Sequence, residues 1–424
     1  MWKTWTGRIA GVLLIATGGA VSAQETGAIV YYEPHSGFWD VFDASNPGRY
    51  ARSDENPHDV LESKTRGGRT ITWVVTYDDV DFNTNFGWDD LTEGADRRAT
   101  LLEVLDYVSS ILNESPATPI HVHWNTSTNS PMGSTLASMG TFFFTSNGFS
   151  SGFAQSHITT GVDPFAGVAD IEGQVNFGRV WNSETDAPAG NEFDLYSVVL
   201  HEITHGLGVA SLLESNGTSG ISGGDPGKYS FLDRFMAADD VDPVGTGATR
   251  ALFGASPDFL GTTGDLISDR LVYTGTNTVS SFGSNPRIYS PNPFNNGSSL
   301  SHWDFSTGSP VMLPSIAAGV QKRTYLPFEV ANLIDLGYPN AADVVVVDPN
   351  NIYVDFTAGT NGAGTEGSPF NNLASALSAV AADGTIHIDT GTSSETFTGG
   401  SAINQSVTLI NETPGGGVVQ IGTP

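Results

Sequence analysis

The chain contains no cysteine in 424 residues. Disulfides are therefore excluded as a source of stability, as are a thiolate metal ligand and a thiol-based latency switch. Basic residues are scarce, 17 Lys and Arg against 46 Asp and Glu, for a formal net charge of −29. A surface of that sign repels phosphate backbones and anionic headgroups, which argues against nucleic acid or an acidic membrane as a partner. After the opening segment no run approaches the roughly 20 apolar residues that a membrane span needs. Glycine (50) and proline (22) are plentiful, and they favour turns and long loops over a helical bundle. With 39% hydrophobic and 10% aromatic residues the chain can still build a core, so composition excludes disorder. Its length predicts a large domain with an appendage.

Residues 1–23 read as a secretory signal. Lys3 and Arg8 give a positive start, Gly11–Ala20 is apolar or small, and Val21-Ser22-Ala23 fits a cleavage site. The expected location is extracellular. Cleavage would remove two bases and no acid, leaving the remainder more acidic still. Such a chain suits a salty or calcium-containing medium, which makes Ca2+ a second candidate ion; a plainly solvated acidic surface is the simpler reading.

The pattern along the chain predicts an α+β fold. Residues 24–68 are polar and turn-rich, and an irregular stretch is expected there. Thr70–Tyr77 (TITWVVTY) and Pro119–Trp124 (PIHVHW) read as strands, and Glu93–Leu112 between them has apolar residues at helical spacing. Strand, helix and strand in this order predict a crossover and a mixed, mostly parallel twisted sheet. Thr141–Thr145 and Gly173–Trp181 are further strands, the second expected at a half-exposed edge because Val175 and Phe177 alternate with polar neighbours. Asp194 is placed to cap a helix over Leu195–Leu207, which Gly206 and Gly208 would end. Residues 209–300 are Gly/Ser/Asn/Pro-rich, and Pro327–Leu336 is one last helix before a change at about Ala341. From there to Pro424 no Lys, Arg or Trp occurs, and short β-rich runs alternate with turns.

The segment with chemical content is His201-Glu202-Ile203-Thr204-His205-Gly206-Leu207-Gly208. Histidines at i and i+4 project from one face of a helix and reach a single ion. Zinc suits neutral imidazole, and a catalytic site takes three protein ligands and leaves a place for water. Glu202, beside the first ligand, has the chemistry of a base that accepts a proton from water and returns it to a leaving amine. For the third ligand the chain offers Ser211, Glu214, Asp233 and His302. A serine hydroxyl is a poor zinc ligand. His302 lies 97 residues beyond His205 in Ser301-His302-Trp303-Asp304, shortly before the proline-bounded turn Pro310-Val311-Met312-Leu313-Pro314. Asp304 either orients His302 or caps a turn. His121, His123, His157 and His387 read as structural or incidental.

Taken together, these motifs resemble the metzincin zinc peptidases, and in particular the leishmanolysin-like branch. There the third histidine follows a long insertion, in a segment like SHWD, with a methionine turn close behind. The resemblance covers roughly residues 70–339. It implies Zn2+ held by His201, His205 and His302, Glu202 as base, Gly208 as the helix-ending turn and Met312 as a hydrophobic support. It also implies a peptidase domain over residues 24–340. An upper half to about residue 208 would meet a looser lower half (209–340), and a polypeptide would lie extended along an edge strand, with Gly173–Trp181 the candidate. The chain departs from leishmanolysin in lacking cysteines.

Residues 341–424 resemble the opening of a right-handed parallel β-helix, with Leu373–Ala382 as its capping helix. Solenoids of that kind bind polysaccharide, so the tail is an accessory module suited to polysaccharide or cell-surface contact. The leading expectation is a secreted zinc endopeptidase. The alternatives are an extracellular glycan- or matrix-binding protein with a structural zinc, and a zinc hydrolase of non-peptide bonds. An intact Glu202 discriminates against the first of these.

Overall fold

The computed structural model describes residues 29–33, 38–42, 57–144, 148–184, 186–220, 228–240, 248–254, 258–342, 350–358, 364, 369–381, 383–389, 391–392, 406–412 and 419–420. The expected signal segment lies outside them. Strands β1 (Ile29–Glu33), β2 (Phe38–Phe42), β3 (Asp59–Lys64) and β4 (Thr70–Tyr77) come first. The short helix α1 (Asp78–Phe82) and the long helix α2 (Gly94–Leu112) lead to β5 (Ile120–Trp124) and β6 (Ala137–Phe144). A short strand β7 (Gly148–Ser150) and helix α3 (Phe153–Thr160) precede β8 (Ile171–Val175) and helix α4 (Leu195–Gly206).

Seven strands form one mixed sheet in the order β2-β1-β6-β8-β5-β4-β3. Its centre, β8-β5-β4, is parallel, and every other pairing is antiparallel. Thus β1, β4, β5 and β8 point one way while β2, β3 and β6 point the other. The fold is mixed α+β, with α2 crossing between parallel β4 and β5 as the sequence pattern predicts.

Alternation builds the core. Ile71, Trp73, Val75 and Tyr77 are buried along β4, and Leu101, Val104, Leu105, Val108 and Leu112 face them from α2. The indole of Trp73 donates to Ser109 Oγ at 2.7 Å and ties strand to helix. Each such side chain contributes about 1.5–3 kcal/mol by leaving water. At the β1–β6 end, neighbours serve different clusters: Val30 and Phe143 pack with Ala210 and Leu212, whereas Tyr31 and Phe142 pack with Phe153 and Val168. Consecutive residues of a strand point to opposite faces, so both faces of the sheet are covered.

Two expectations need correction. The stretch before residue 68 is not wholly irregular, since it supplies β1, β2 and β3 to the sheet. Its apolar runs are only a few residues long, too short to announce themselves against their polar flanks. Nor is residue 173 on an edge: β8 ends at Val175 and lies between β6 and β5. Of the polar neighbours that suggested exposure, Asn176 is buried and Gln174 is half-buried.

After α4 the chain forms short strands and loops, with helices α5 (Thr276–Phe282) and α6 (Pro327–Leu336) packed together. Beyond residue 350, Asn351–Val354, Thr385–Ile388 and Thr408–Asn411 stack in parallel register beside helix α7 (Leu373–Ala379). Ile352, Val354, Leu373, Ala376, Ile386 and Ile388 form a separate small core there. No helix among the described residues is long and apolar enough to cross a membrane.

Candidate metal centre

Helix α4 starts where the Asp194 carboxylate accepts the Ser197 N–H at 3.0 Å. Arg323 forms an ion pair with the same carboxylate, which is fully buried. The helix's register then sets His201 and His205 one turn apart on one face. At its end, Gly206 lies so close to β8 that a Cβ there would be 2.5 Å from Ile171 Cγ2. Gly208 follows at φ 99°, a left-handed conformation that glycine adopts without a Cβ clash. That turn brings the Val209 carbonyl back to 2.7 Å from His205 Nδ1.

His302 arrives from far along the chain. Its carbonyl accepts the Tyr289 N–H at 2.9 Å, and the next residue, Trp303, donates to the Met312 carbonyl at 2.8 Å. Leu300, two residues earlier, is buried at φ 71°. A left-handed leucine costs about 1–2 kcal/mol, held by the surrounding contacts.

The three imidazoles converge. Their Nε2 atoms are 3.1 Å (His201–His205), 3.2 Å (His205–His302) and 3.2 Å (His201–His302) apart. Each Nδ1 lies against a backbone carbonyl: His201 on Val311 at 2.9 Å, His205 on Val209 at 2.7 Å, His302 on Ser298 at 2.6 Å. A carbonyl only accepts, so Nδ1 carries the proton and each neutral ring turns the lone pair of Nε2 inward. Three lone pairs facing one point repel one another unless a cation lies between them. These residues could hold a metal ion.

Glu202 is buried and faces the same cleft. Burial pushes its carboxyl well above the usual range, Glu33 adds to the shift, and the Met139 N–H opposes it. The cleft encloses about 440 Å³ and runs past Ser134–Leu136, just before β6, along α4 and over Leu313–Ile316.

The support reaches further than the sequence pattern disclosed. Glu329, in the first turn of α6, is buried and accepts the Met312 N–H at 2.9 Å and the Val311 N–H at 3.1 Å. One peptide group, Val311–Met312, therefore receives the His201 proton at its oxygen and offers its N–H to Glu329. Burial lifts the Glu329 carboxyl to about 7, against these N–H donors and Lys322. No motif marked Glu329; a capping-box glutamate after a proline start was the one available signal.

The other candidates lie elsewhere. Ser211 donates to Asp233 at 2.6 Å, and Asp233 also accepts the Leu212 and Ser230 N–H groups, a buried network that organises the chain after α4. Glu214 is not in the histidine cluster. Asp304 caps a turn by accepting the Ser306 N–H at 2.9 Å, so it serves the turn and not His302. Met312 is buried in the turn that Glu329 holds. His157 and His387 are not idle: His157 pairs with Asp170, and His387 stacks on Tyr353 and bonds Glu412. Comparison with known protein families, curated proteins and solved structures finds no match.

Proposed function

We propose that the chain is a secreted zinc-dependent endopeptidase of the metzincin type, close to the leishmanolysin-like branch, with His201, His205 and His302 as ligands and Glu202 as base. The observation that carries this reading is the convergence of three Nε2 atoms at 3.1–3.2 Å beside a buried carboxyl on a cleft. Ligands about 2.0–2.1 Å from a tetrahedral zinc stand roughly 3.3 Å apart, so the observed spacing suits that ion. Oxygen-preferring Ca2+ has no use for three imidazoles, and no calcium site is assigned.

Zinc bound there would lower the pKa of a water towards neutrality and polarise a carbonyl. The chain's own contribution is orientation and proton transfer. Nδ1 bonds to three carbonyls fix the rings, and the Met139 N–H points the Glu202 carboxyl. Glu202 takes a proton from the attacking water and delivers it to the leaving nitrogen. An extended polypeptide would lie along the cleft beside Ser134–Leu136, the segment that leads into β6. The parallel ladder of the tail supports the accessory, solenoid-like role, with polysaccharide or a cell surface as its partner.

Metal analysis of the purified protein with a chelator-sensitive casein assay tests the reading. Glu202→Gln should keep about one zinc per chain and lose on the order of 10²–10⁴-fold in hydrolysis. Full activity in that variant ends the mechanism.

A further inference from the structure

The cleft is charged against the rest of the molecule. In a chain with 46 acids and 17 bases, the lining contains Arg179 and Lys322, while Glu202 is its sole acid among the described residues. Neither cation is paired with a carboxylate among the described residues. Lys322 Nζ donates to the Pro310 carbonyl at 2.9 Å, and Arg179 Nη1 to the Gly133 carbonyl at 3.0 Å. Each keeps further donors, since an ammonium has three and a guanidinium five.

Both sit at the N-terminal end of α4. The Lys322 N–H donates to Ser197 Oγ at 2.6 Å, and the Arg179 guanidinium lies 4.9 Å from the centre of the Phe193 ring. Phe193 and Ser197 line the same cleft. Asp194, the buried cap of that helix, is already claimed by Arg323. Lys322 is half-buried, and burial pushes its ammonium below its ordinary value, with Glu329 opposing. A cation drawn partly out of water, with no carboxylate in direct contact among the described residues, gains from an anion brought by a ligand.

We infer that Arg179 and Lys322 form a cationic subsite that takes an acidic side chain of the peptide next to the bond to be cut. The substrate class is then polypeptide with Asp or Glu beside the scissile bond. This rests on the peptidase reading for the cut, though not for the binding. Phe193 and Ile316 give the aliphatic stem of a glutamate an apolar wall, and the two cations meet its carboxylate.

The test uses the full chain and paired peptides that differ only by Glu against Gln next to the bond. Wild type should cleave the Glu peptide about tenfold faster in kcat/KM, an advantage that falls with salt. Lys322→Met with Arg179→Met should abolish the preference, and Lys322→Arg should retain it. Separately, fluorescence anisotropy on Glu202→Gln reads binding of the same labelled peptides without turnover. Cleavage with no preference for the acid, or a preference that survives the double substitution, overturns the subsite. If no peptide is cut but the Glu202→Gln protein still binds the acidic member about tenfold tighter, the subsite stands and the peptidase reading falls. Absence of both cleavage and selective binding overturns both.

Discussion

Among the described residues, two groups of side chains have the composition of a metal site, and one of them has its geometry. His201, His205 and His302 form the first; His157, Asp163 and Asp170 form the second. In the second, His157 is fully buried with both ring nitrogens engaged: Nδ1 on Asp170 at 2.7 Å and Nε2 on Thr118 Oγ1 at 2.6 Å. Asp170 also accepts the His121 N–H, which fixes α3 against β5 and the loop before β8. In the first group one nitrogen of each ring is tied to a carbonyl and the other is turned towards its two counterparts. The destination of the second nitrogen separates ligand from cross-link, and residue type alone does not.

The sharpest break of that comparison is His302→Ala. It should lower bound zinc from about one per chain to well below half and abolish casein hydrolysis, as judged by elemental analysis beside the assay. His157→Ala should do the opposite. Zinc content stays unchanged, while stability falls by about 3–5 kcal/mol, because the buried Asp170 loses its partner. Loss of zinc in His157→Ala, with the fold intact, would erase the distinction between the two groups. Glu329→Ala sharpens it at a smaller scale. Removing the acceptor of the Val311–Met312 peptide should weaken zinc about 10–100-fold through His201. Competition with a calibrated chelator measures this, and unchanged affinity would confine Glu329 to holding the turn.

Much of the first group was legible in sequence, for a physical reason. His201 and His205 are a helical repeat apart, so local periodicity alone puts them on one face. His302 carries no such signal, since a separation of 97 residues says nothing about contact; only the SHWD segment and the neighbouring methionine turn pointed to it. Glu329 was silent because its role passes through backbone atoms, which any residue at 311 or 312 supplies. The fold followed the same division. Strand β4, helix α2 and helix α6 have strong periods, and the structure has them within a residue or two of the expected bounds. Strands β1 to β3 are short, and β8 buries polar residues, so pattern reading missed the former and misplaced the latter. No sequence signal joins His157 to Asp170 and Thr118, because they meet it only through tertiary packing.

A third histidine extends the comparison towards solvent and carries the smallest effect. His123 uses both nitrogens as His157 does, with Nδ1 on Thr76 Oγ1 at 2.8 Å and Nε2 near Asp78 at 3.4 Å, but its partner is partly exposed. Burial alone would lower its pKa; the bond to Asp78, together with the charges of Glu172, Asp78 and Asp81, raises it on balance. The Asp78 carboxyl is lowered by His123 and Thr126 against its own burial. A raised histidine stabilises the fold fully below its unfolded value, near pH 6.5, and loses that contribution as pH climbs through the folded value. A lowered carboxyl stabilises above its unfolded value, near pH 4, and loses it as pH falls. The pair should therefore count most between about pH 4 and 6.5 and fade as pH climbs beyond that. Asp78→Asn should lower stability by under about 1 kcal/mol at pH 5.5 and by less at pH 8.5, in thermal melts at both values. An equal penalty at the two pH values would mean that Asp78 acts only as a hydrogen-bond acceptor for the loop at Thr126, with no charge carried by His123.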